Sequence, residues 1–215
     1  MWKVIAQDSV SLTLSLHTKE TQSHFPGDVI AEVHYQLFEN SLQLKYRAST
    51  SKPSPVNMTN HSYFNLAPMH SFENHLLHIT YNERLEMDQN QLPTGNTLLK
   101  TEQAFAYQTP KSISQGSLDD YFLLTAKPTI SLYHPAHSLK MEVTTDQKGI
   151  VVFTPESFPA IRFETQAAPD ALYHSHFEDI IHAPDNDYNH KTIFSFSSFN
   201  NFKAHAYAIK KSSCD

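Results

Sequence analysis

The chain has 215 residues, a formal net charge of −6 and no cluster of Lys and Arg, so nucleic acids and anionic membranes are not expected as partners. Hydrophobic residues make up 40% of the chain and aromatic residues 12%, which argues for a folded core and against disorder. The mild net charge favours a small neutral substrate. The sequence has only four glycines and neither a G-x-G-x-x-G segment nor a P-loop, which argues against most nucleotide-dependent functions.

Alternation of apolar and polar residues dominates the chain and predicts many short strands. In chain order, strands are predicted at 10–16, 29–37, 42–48, 76–81, 121–126, 129–133, 139–145, 150–154, 161–166 and 192–199. The second and third strands form a hairpin around residues 39–41, and further turns are predicted at Pro26-Gly27, Pro93-Thr94-Gly95 and Lys148-Gly149. No stretch keeps an apolar 3.6-residue period for three turns. The predicted fold is therefore all-β, a sandwich or barrel in one domain.

Cysteine usage and the first residues bear on the compartment. Cys214 is the only cysteine, so a disulfide within the chain is excluded, which fits a reducing environment. Met1 is followed by neither a basic segment nor a sustained apolar run, and no window reaches membrane-spanning length. A cytoplasmic location is expected.

Three segments contain reactive polar residues within otherwise apolar or strand-like sequence: V-N-M-T-N-H-S-Y-F-N-L at 56–66, L-D-D-Y-F-L at 118–123, and F-E-T-Q at 163–166, followed by A-A-P-D-A. Each has a simple structural explanation when it is taken alone. His61 could have no role beyond a hydrogen bond to the backbone, Asp119 could be a solvated turn residue, and Glu164 could lie on the surface.

Taken together, in this order and spacing, the segments resemble the family of aldose 1-epimerases. The first is similar to the family's N-x-T-N-H-S-Y-F-N-L signature, the second to G-x-D-H-x-F-L and the third to E-T-Q-x-x-P-D-A. The resemblance runs from residue 2 to about 196. It implies a β-sandwich of the galactose mutarotase (supersandwich) type over residues 1–199, with residues 200–215 as a C-terminal tail.

The resemblance also implies a reaction and the roles of individual residues. Family members interconvert the α and β anomers of free aldoses such as galactose and glucose without a cofactor or a metal. By resemblance, Glu164 is the base and His61 the acid, and Asp119 binds sugar hydroxyls. Asn60 and Tyr63, in the first signature, are also expected to bind substrate. A carboxylate and an imidazole suit this chemistry because each can accept and return a proton near neutral pH.

The sequence departs from the family pattern mainly at its start. Family members carry roughly a hundred more residues in front, the size of a small domain. Those residues include an arginine near the sugar and an L-H-G-G segment, neither of which has a counterpart here. Asp120 replaces the histidine that follows the binding aspartate in the family. An N-terminally truncated sandwich would expose strand edges, so self-association or a complementing N-terminal segment is expected.

The sequence is also compatible with three alternatives. A truncated homologue could bind sugar weakly or not at all and catalyse nothing. His174 and His176 have ligand-like spacing for a strand, with Glu178 and His182 nearby, although 14 histidines make chance pairs common. A sugar-phosphate epimerase would need a cationic clamp, and Arg162 lies close to Glu164 in the sequence.

Overall fold

The computed structural model describes residues 1–67, 71–99, 105–125 and 129–199. Antiparallel strands make up most of these residues, which confirms the all-β prediction, and the one α-helix among them, α1 (Glu20–Ser23), is a single turn. The strands are β1 (Lys3–Gln7), β2 (Ser11–Thr18), β3 (Val29–Phe38), β4 (Ser41–Thr50), β5 (Ser54–Pro55), β6 (Tyr63–Phe64), β7 (Leu76–Ile79), β8 (Tyr81–Met87), β9 (Pro93–Leu99), β10 (Lys111–Ser112), β11 (Asp119–Leu124), β12 (Ile130–His134), β13 (Leu139–Thr145), β14 (Gly149–Phe153), β15 (Ile161–Gln166), β16 (Ile181–His182) and β17 (Tyr188–Ser198).

The strands form two large sheets and one small one. The larger has nine strands in the order β1-β2-β3-β4-β17-β13-β12-β7-β10, the second has six in the order β6-β15-β14-β11-β8-β9, and β16 pairs with β5 alone. No helix in the described part of the chain is long and apolar enough to cross a membrane.

The main core lies between the two large sheets. Buried apolar side chains of both contribute to one cluster: Leu44, Leu77, Ile130, Leu132, Met141 and Phe194 from the nine-stranded sheet, and Phe122, Ile150, Val152, Ile161 and Phe163 from the six-stranded sheet. Successive side chains of a strand point to opposite faces. Burying positions 122, 150, 152, 161 and 163 therefore turns the residues between them to the other face of the six-stranded sheet.

The predicted strands agree with the structure in most places. The segments 139–145 and 161–166 coincide with β13 and β15, and β3 and β4 form the predicted hairpin, with Phe38 paired to Ser41. The segment 76–81 is divided between two strands, because β7 joins one large sheet and β8 the other. Ala126, at the end of the predicted strand 121–126, and the proposed tail 200–215 lie outside the described residues.

The turn predicted at Pro93-Thr94-Gly95 was wrong. These residues begin strand β9, and the chain reverses just before them. The Asp88 carboxylate makes the turn there by accepting backbone N–H groups of Asn90 at 2.7 Å and Leu92 at 3.0 Å. Such a local side-chain to backbone bond is the usual reason that aspartate favours turns.

Candidate active site

The strand register places three of the predicted site residues, Tyr63, Glu164 and Asp119, on the outer face of the six-stranded sheet. Tyr63 pairs with Arg162, Arg162 with Phe153, and Phe153 with Asp119, so one row of side chains runs across β6, β15, β14 and β11. Glu164 lies two residues beyond Arg162 on β15 and therefore on the same face.

The loop that carries His61 is fixed to β15 by asparagine side chains. Asn57 donates to the carbonyl of Ala167 at 3.1 Å and accepts from its N–H at 3.0 Å. The Asn60 amide is buried, donates to the carbonyl of Phe163 at 3.3 Å and accepts the N–H of Ser62 at 3.2 Å. The structure thus gives Asn60 a role in positioning the loop, and sugar binding by Asn60 stays a prediction.

His61 and Glu164 meet at the end of this loop. Nε2 of the imidazole lies 3.6 Å from Oε1 of the carboxylate. The imidazole side chain is 64% exposed, whereas that of Glu164 is 12% exposed. An accessible imidazole beside a largely shielded carboxylate can exchange protons with a molecule bound on this face.

Arg162 contacts both of these side chains, a role in the site that the sequence did not predict. Its guanidinium contacts Glu164 Oε1 through Nε and His61 Nε2 through one terminal nitrogen, which also donates to the Tyr63 hydroxyl at 2.9 Å. It lies 4.4 Å from the centroid of the Phe153 ring. The sequence I-R-F-E could have indicated this role, because residues two apart in a strand, such as Arg162 and Glu164, point to the same face of the sheet.

Tyr63 borders the site. Its ring is 38% exposed and packs edge-on against His61 at 5.4 Å and Phe158 at 4.9 Å between centroids. The hydroxyl accepts the hydrogen bond from Arg162. The same hydroxyl can donate a second hydrogen bond to a bound molecule, since a phenol both donates and accepts.

Asp119 lies in the same row, two strands from Arg162, a lateral separation of about 10 Å. It lines an open cleft of about 740 Å³ together with Phe153 and Glu156. Partial burial raises the pKa of the Asp119 carboxyl, and the Arg162 charge opposes that shift. Asp120 pairs with Arg84 at 3.3 Å, and both residues also line this cleft.

The possible metal ligands do not form a site. His174 and His176 lie in a turn and not on a strand, with ring centroids 6.0 Å apart, and His176 hydrogen-bonds to the carbonyl of Gly95 at 2.6 Å. Within the described ranges, no three His, Cys, Asp or Glu side chains are grouped so that they could hold a metal ion.

The fold and the site together define the class of the protein: an antiparallel β-sandwich with an imidazole–carboxylate pair on the outer face of the smaller of its two large sheets. Residues 1–195 match the model of the family described as aldose 1-epimerase. The chain belongs to the aldose 1-epimerase family.

Individual relatives agree with this assignment. A galactose mutarotase of Rattus norvegicus is 31% identical over 203 residues, which cover 80% of this chain and 59% of the rat protein. An aldose 1-epimerase of Escherichia coli is 34% identical over 121 residues, covering 55% of this chain and 35% of that protein. The chain therefore spans less than two thirds of the length of these relatives.

A solved structure shows the same fold. An aldose epimerase homologue from C. elegans superimposes with a TM-score of 0.86, at 23% sequence identity, over 93% of this chain and 69% of its own. Because the identity is low, this likeness supports the galactose mutarotase type of sandwich and says nothing about the substrate.

Proposed function

We propose that this protein is an aldose 1-epimerase that interconverts the α and β anomers of free aldoses such as galactose and glucose. The observation that carries the proposal is the contact of 3.6 Å between His61 Nε2 and Glu164 Oε1 on an accessible face of a family member. A base and an acid at this spacing can serve two oxygens attached to one anomeric carbon.

In the proposed mechanism, Glu164 removes the proton of the anomeric hydroxyl while protonated His61 gives a proton to the ring oxygen. The C1–O5 bond breaks, and its electron pair stays with the ring oxygen as the C1=O double bond of the aldehyde forms. Rotation about C1–C2 presents the other face of the aldehyde. Closure then returns both protons to their donors. Each proton transfer contributes roughly 10²–10⁴-fold to the rate.

The charges of the site support a neutral substrate. Arg162 already contacts the Glu164 carboxylate, and Arg84, which also lines the cleft with Asp119, is paired with Asp120. Asp119 adds a second carboxylate in the same row. A phosphate or carboxylate on the sugar would meet more negative than positive charge here, whereas hydroxyl groups can donate to Asp119 in charge-assisted hydrogen bonds.

Polarimetry tests the proposed activity. Fresh α-D-galactose or α-D-glucose is dissolved with purified chain, and the decay of optical rotation is compared with that of Glu164→Gln and His61→Gln. The proposal expects acceleration by the wild-type chain and a loss of roughly 10²–10⁴-fold in either variant. A folded wild-type chain that gives no acceleration would instead support the alternative, a non-catalytic homologue.

We also propose that the chain associates through β1 and its neighbours, with a complementing N-terminal segment or with a second copy. Val4, Leu14, Val33 and Tyr46 form one row across four strands. Tyr46 and Val33 are buried, whereas Val4 in the edge strand is 58% exposed. Apolar surface on an unpaired edge favours strand addition.

Sedimentation of the isolated chain tests association. The proposal expects dimers or larger species whose fraction rises with concentration, and Val4→Lys should shift the distribution toward monomer because it places a charge on the edge strand. A wild-type chain that stays monomeric over the whole concentration range contradicts self-association. Addition of the corresponding N-terminal third of a relative then tests the complementing segment, which would sediment together with the chain.

The single cysteine of the sequence supports a reducing compartment, and we propose the cytoplasm.

A further inference from the structure

The position of Arg162 raises a question that the proposed reaction does not answer. A base and an acid 3.6 Å apart would form a direct ion pair, because a protonated imidazole donates readily to a carboxylate. Such a pair would neutralise both groups before any sugar arrived. In the structure, the guanidinium of Arg162 contacts both His61 and Glu164 in addition to their direct contact.

The hydrogen-bonding capacity of arginine settles which imidazole nitrogen carries the proton in this arrangement. A guanidinium has five N–H donors and no acceptor. Its terminal nitrogen approaches Nε2 of His61 most closely and lies 3.5 Å from Nδ1. Nε2 must therefore present its lone pair to Arg162, which leaves the single proton of a neutral imidazole on Nδ1.

Arg162 is held firmly enough for this role. Its side chain is 14% exposed and lies between two aromatic rings, 4.4 Å from the Phe153 centroid and 5.4 Å from the Tyr63 centroid. The Tyr63 hydroxyl accepts from the same terminal nitrogen at 2.9 Å. Aromatic stacking and three polar contacts fix the plane of the guanidinium.

We propose that Arg162 is a positioning residue that prevents the acid and the base of the sugar-free site from neutralising each other, by holding His61 with Nε2 unprotonated beside the Glu164 carboxylate. This inference deepens the proposed function and rests on it for its catalytic meaning. When a sugar displaces the guanidinium from Nε2, that nitrogen takes a proton from solvent, to which the imidazole is open. The acid thus becomes available only in the presence of substrate.

The test observes His61 directly and does not require activity. Long-range ¹H–¹⁵N spectra of ¹⁵N-labelled chain are recorded at about pH 8, where an ordinary imidazole is neutral. The His61 signals are assigned by their loss in His61→Gln. Arg162→Met removes every donor while keeping an unbranched stem over Phe153. Arg162→Lys keeps a side chain that can only donate. Arg47→Gln, at a surface pair with Asp187, is the matched control.

The proposal expects the wild type to show an unprotonated Nε2 and a protonated Nδ1. In Arg162→Met the pattern should reverse, because Nε2 then carries the proton toward Glu164. Arg162→Lys and Arg47→Gln should keep the wild-type pattern. Protonated Nε2 in the wild type, or an unchanged pattern in a folded Arg162→Met, overturns the inference.

Kinetics add a second readout if the wild type is active. Arg162→Met should lower kcat by roughly 10-fold or more with a smaller change in KM, and Arg162→Lys should restore part of the loss. Equal losses of kcat in Arg162→Met and Arg162→Lys contradict a positioning role. An inactive wild type defeats the proposed function alone, since the imidazole spectra still decide the role of Arg162.

Discussion

Gly149 at the start of β14 gives the sharpest stability prediction. It pairs with Leu123 on one side and Gln166 on the other, and the Tyr121 ring lies directly over it. A Cβ added at Gly149 would lie 1.8 Å from Oη and 2.0 Å from Cζ of Tyr121, whereas ordinary contact begins at 3.4 Å. Its backbone φ is not in the left-handed region, so the effect of Gly149→Ala is steric.

The magnitude follows from the movement that the ring must make. Tyr121 is 3% exposed, and its hydroxyl donates to the carbonyl of Gln166 at 3.2 Å. Moving the ring by about 1.5 Å breaks that bond, at about 1 kcal/mol, and overpacks the site at about 1–3 kcal/mol. Gly149→Ala should therefore cost about 2–4 kcal/mol, or roughly 5–15 °C in Tm for a chain of this size.

Thermal and urea unfolding measure this cost, and a double-mutant cycle with Tyr121→Ala identifies its cause. Without the ring, the added methyl group meets open space, so Gly149→Ala should cost less than about 1 kcal/mol in the Tyr121→Ala background. A fall in Tm of only one or two degrees in the single variant would refute the reasoning. The same large cost in both backgrounds would refute it equally.

Three further predictions concern the pH dependence of stability, substrate binding and the stability contributed by a hydrogen bond in the site. Burial lowers the pKa of His75 to about 4, below its ordinary 6.5, so the unfolded chain binds more protons as the pH falls from 6.5 toward 4 and stability is lost by up to about 1.4 kcal/mol per pH unit. Urea unfolding at several pH values should show a shallower slope in His75→Gln, and an identical slope would contradict the assignment. Asp119→Asn should raise KM for galactose about 10-fold or more, because it removes a charged acceptor. It should not lower Tm, because burial raises the pKa of that carboxyl and already disfavours its charged form in the folded chain. A changed kcat with a constant KM would argue against a binding role. Tyr63→Phe should cost about 1 kcal/mol in unfolding experiments by removing the acceptor for Arg162, and a loss above about 3 kcal/mol would mean that the ring itself has shifted.

The sequence predicts strands well where one face is buried. Strand β13 alternates between buried and less buried residues, and its bounds match the predicted segment. The bounds of β15 match as well, although its residues 163–165 are all buried. Strand β1 was missed because all five of its residues are exposed and its sequence, K-V-I-A-Q, does not alternate between apolar and polar residues. It exists because it pairs with β2, which a local pattern does not report.

Strand β9, which was not predicted, was missed for a similar physical reason. Gly95 suggested a turn, yet it lies within a strand with φ of +90°, and a Cβ there would lie 2.7 Å from the His174 ring. Glycine within a strand often marks such a close approach. Contacts with residues far along the chain decide whether such a glycine lies in a turn or within a strand.

The candidate site could be predicted in part. The resemblance named His61 and Glu164, and the structure brings them together at 3.6 Å. Arg162 was noticed only as a neighbour of Glu164 in the sequence. Its contacts with both depend on the loop that carries His61. Asn57 and Asn60 fasten that loop to Ala167 and to Phe163 of β15, more than a hundred residues further along the chain.

Exchange spectroscopy at equilibrium tests the central claim most directly, because it follows the conversion of one anomer into the other. Cross-peaks between the anomeric protons of α- and β-galactose are measured with wild-type chain, with Glu164→Gln and without protein. The account predicts exchange that grows with wild-type concentration and falls to the protein-free level in Glu164→Gln. Equal exchange in the wild type and in Glu164→Gln, both shown to be folded, would contradict the assignment of Glu164 as the base of an aldose 1-epimerase.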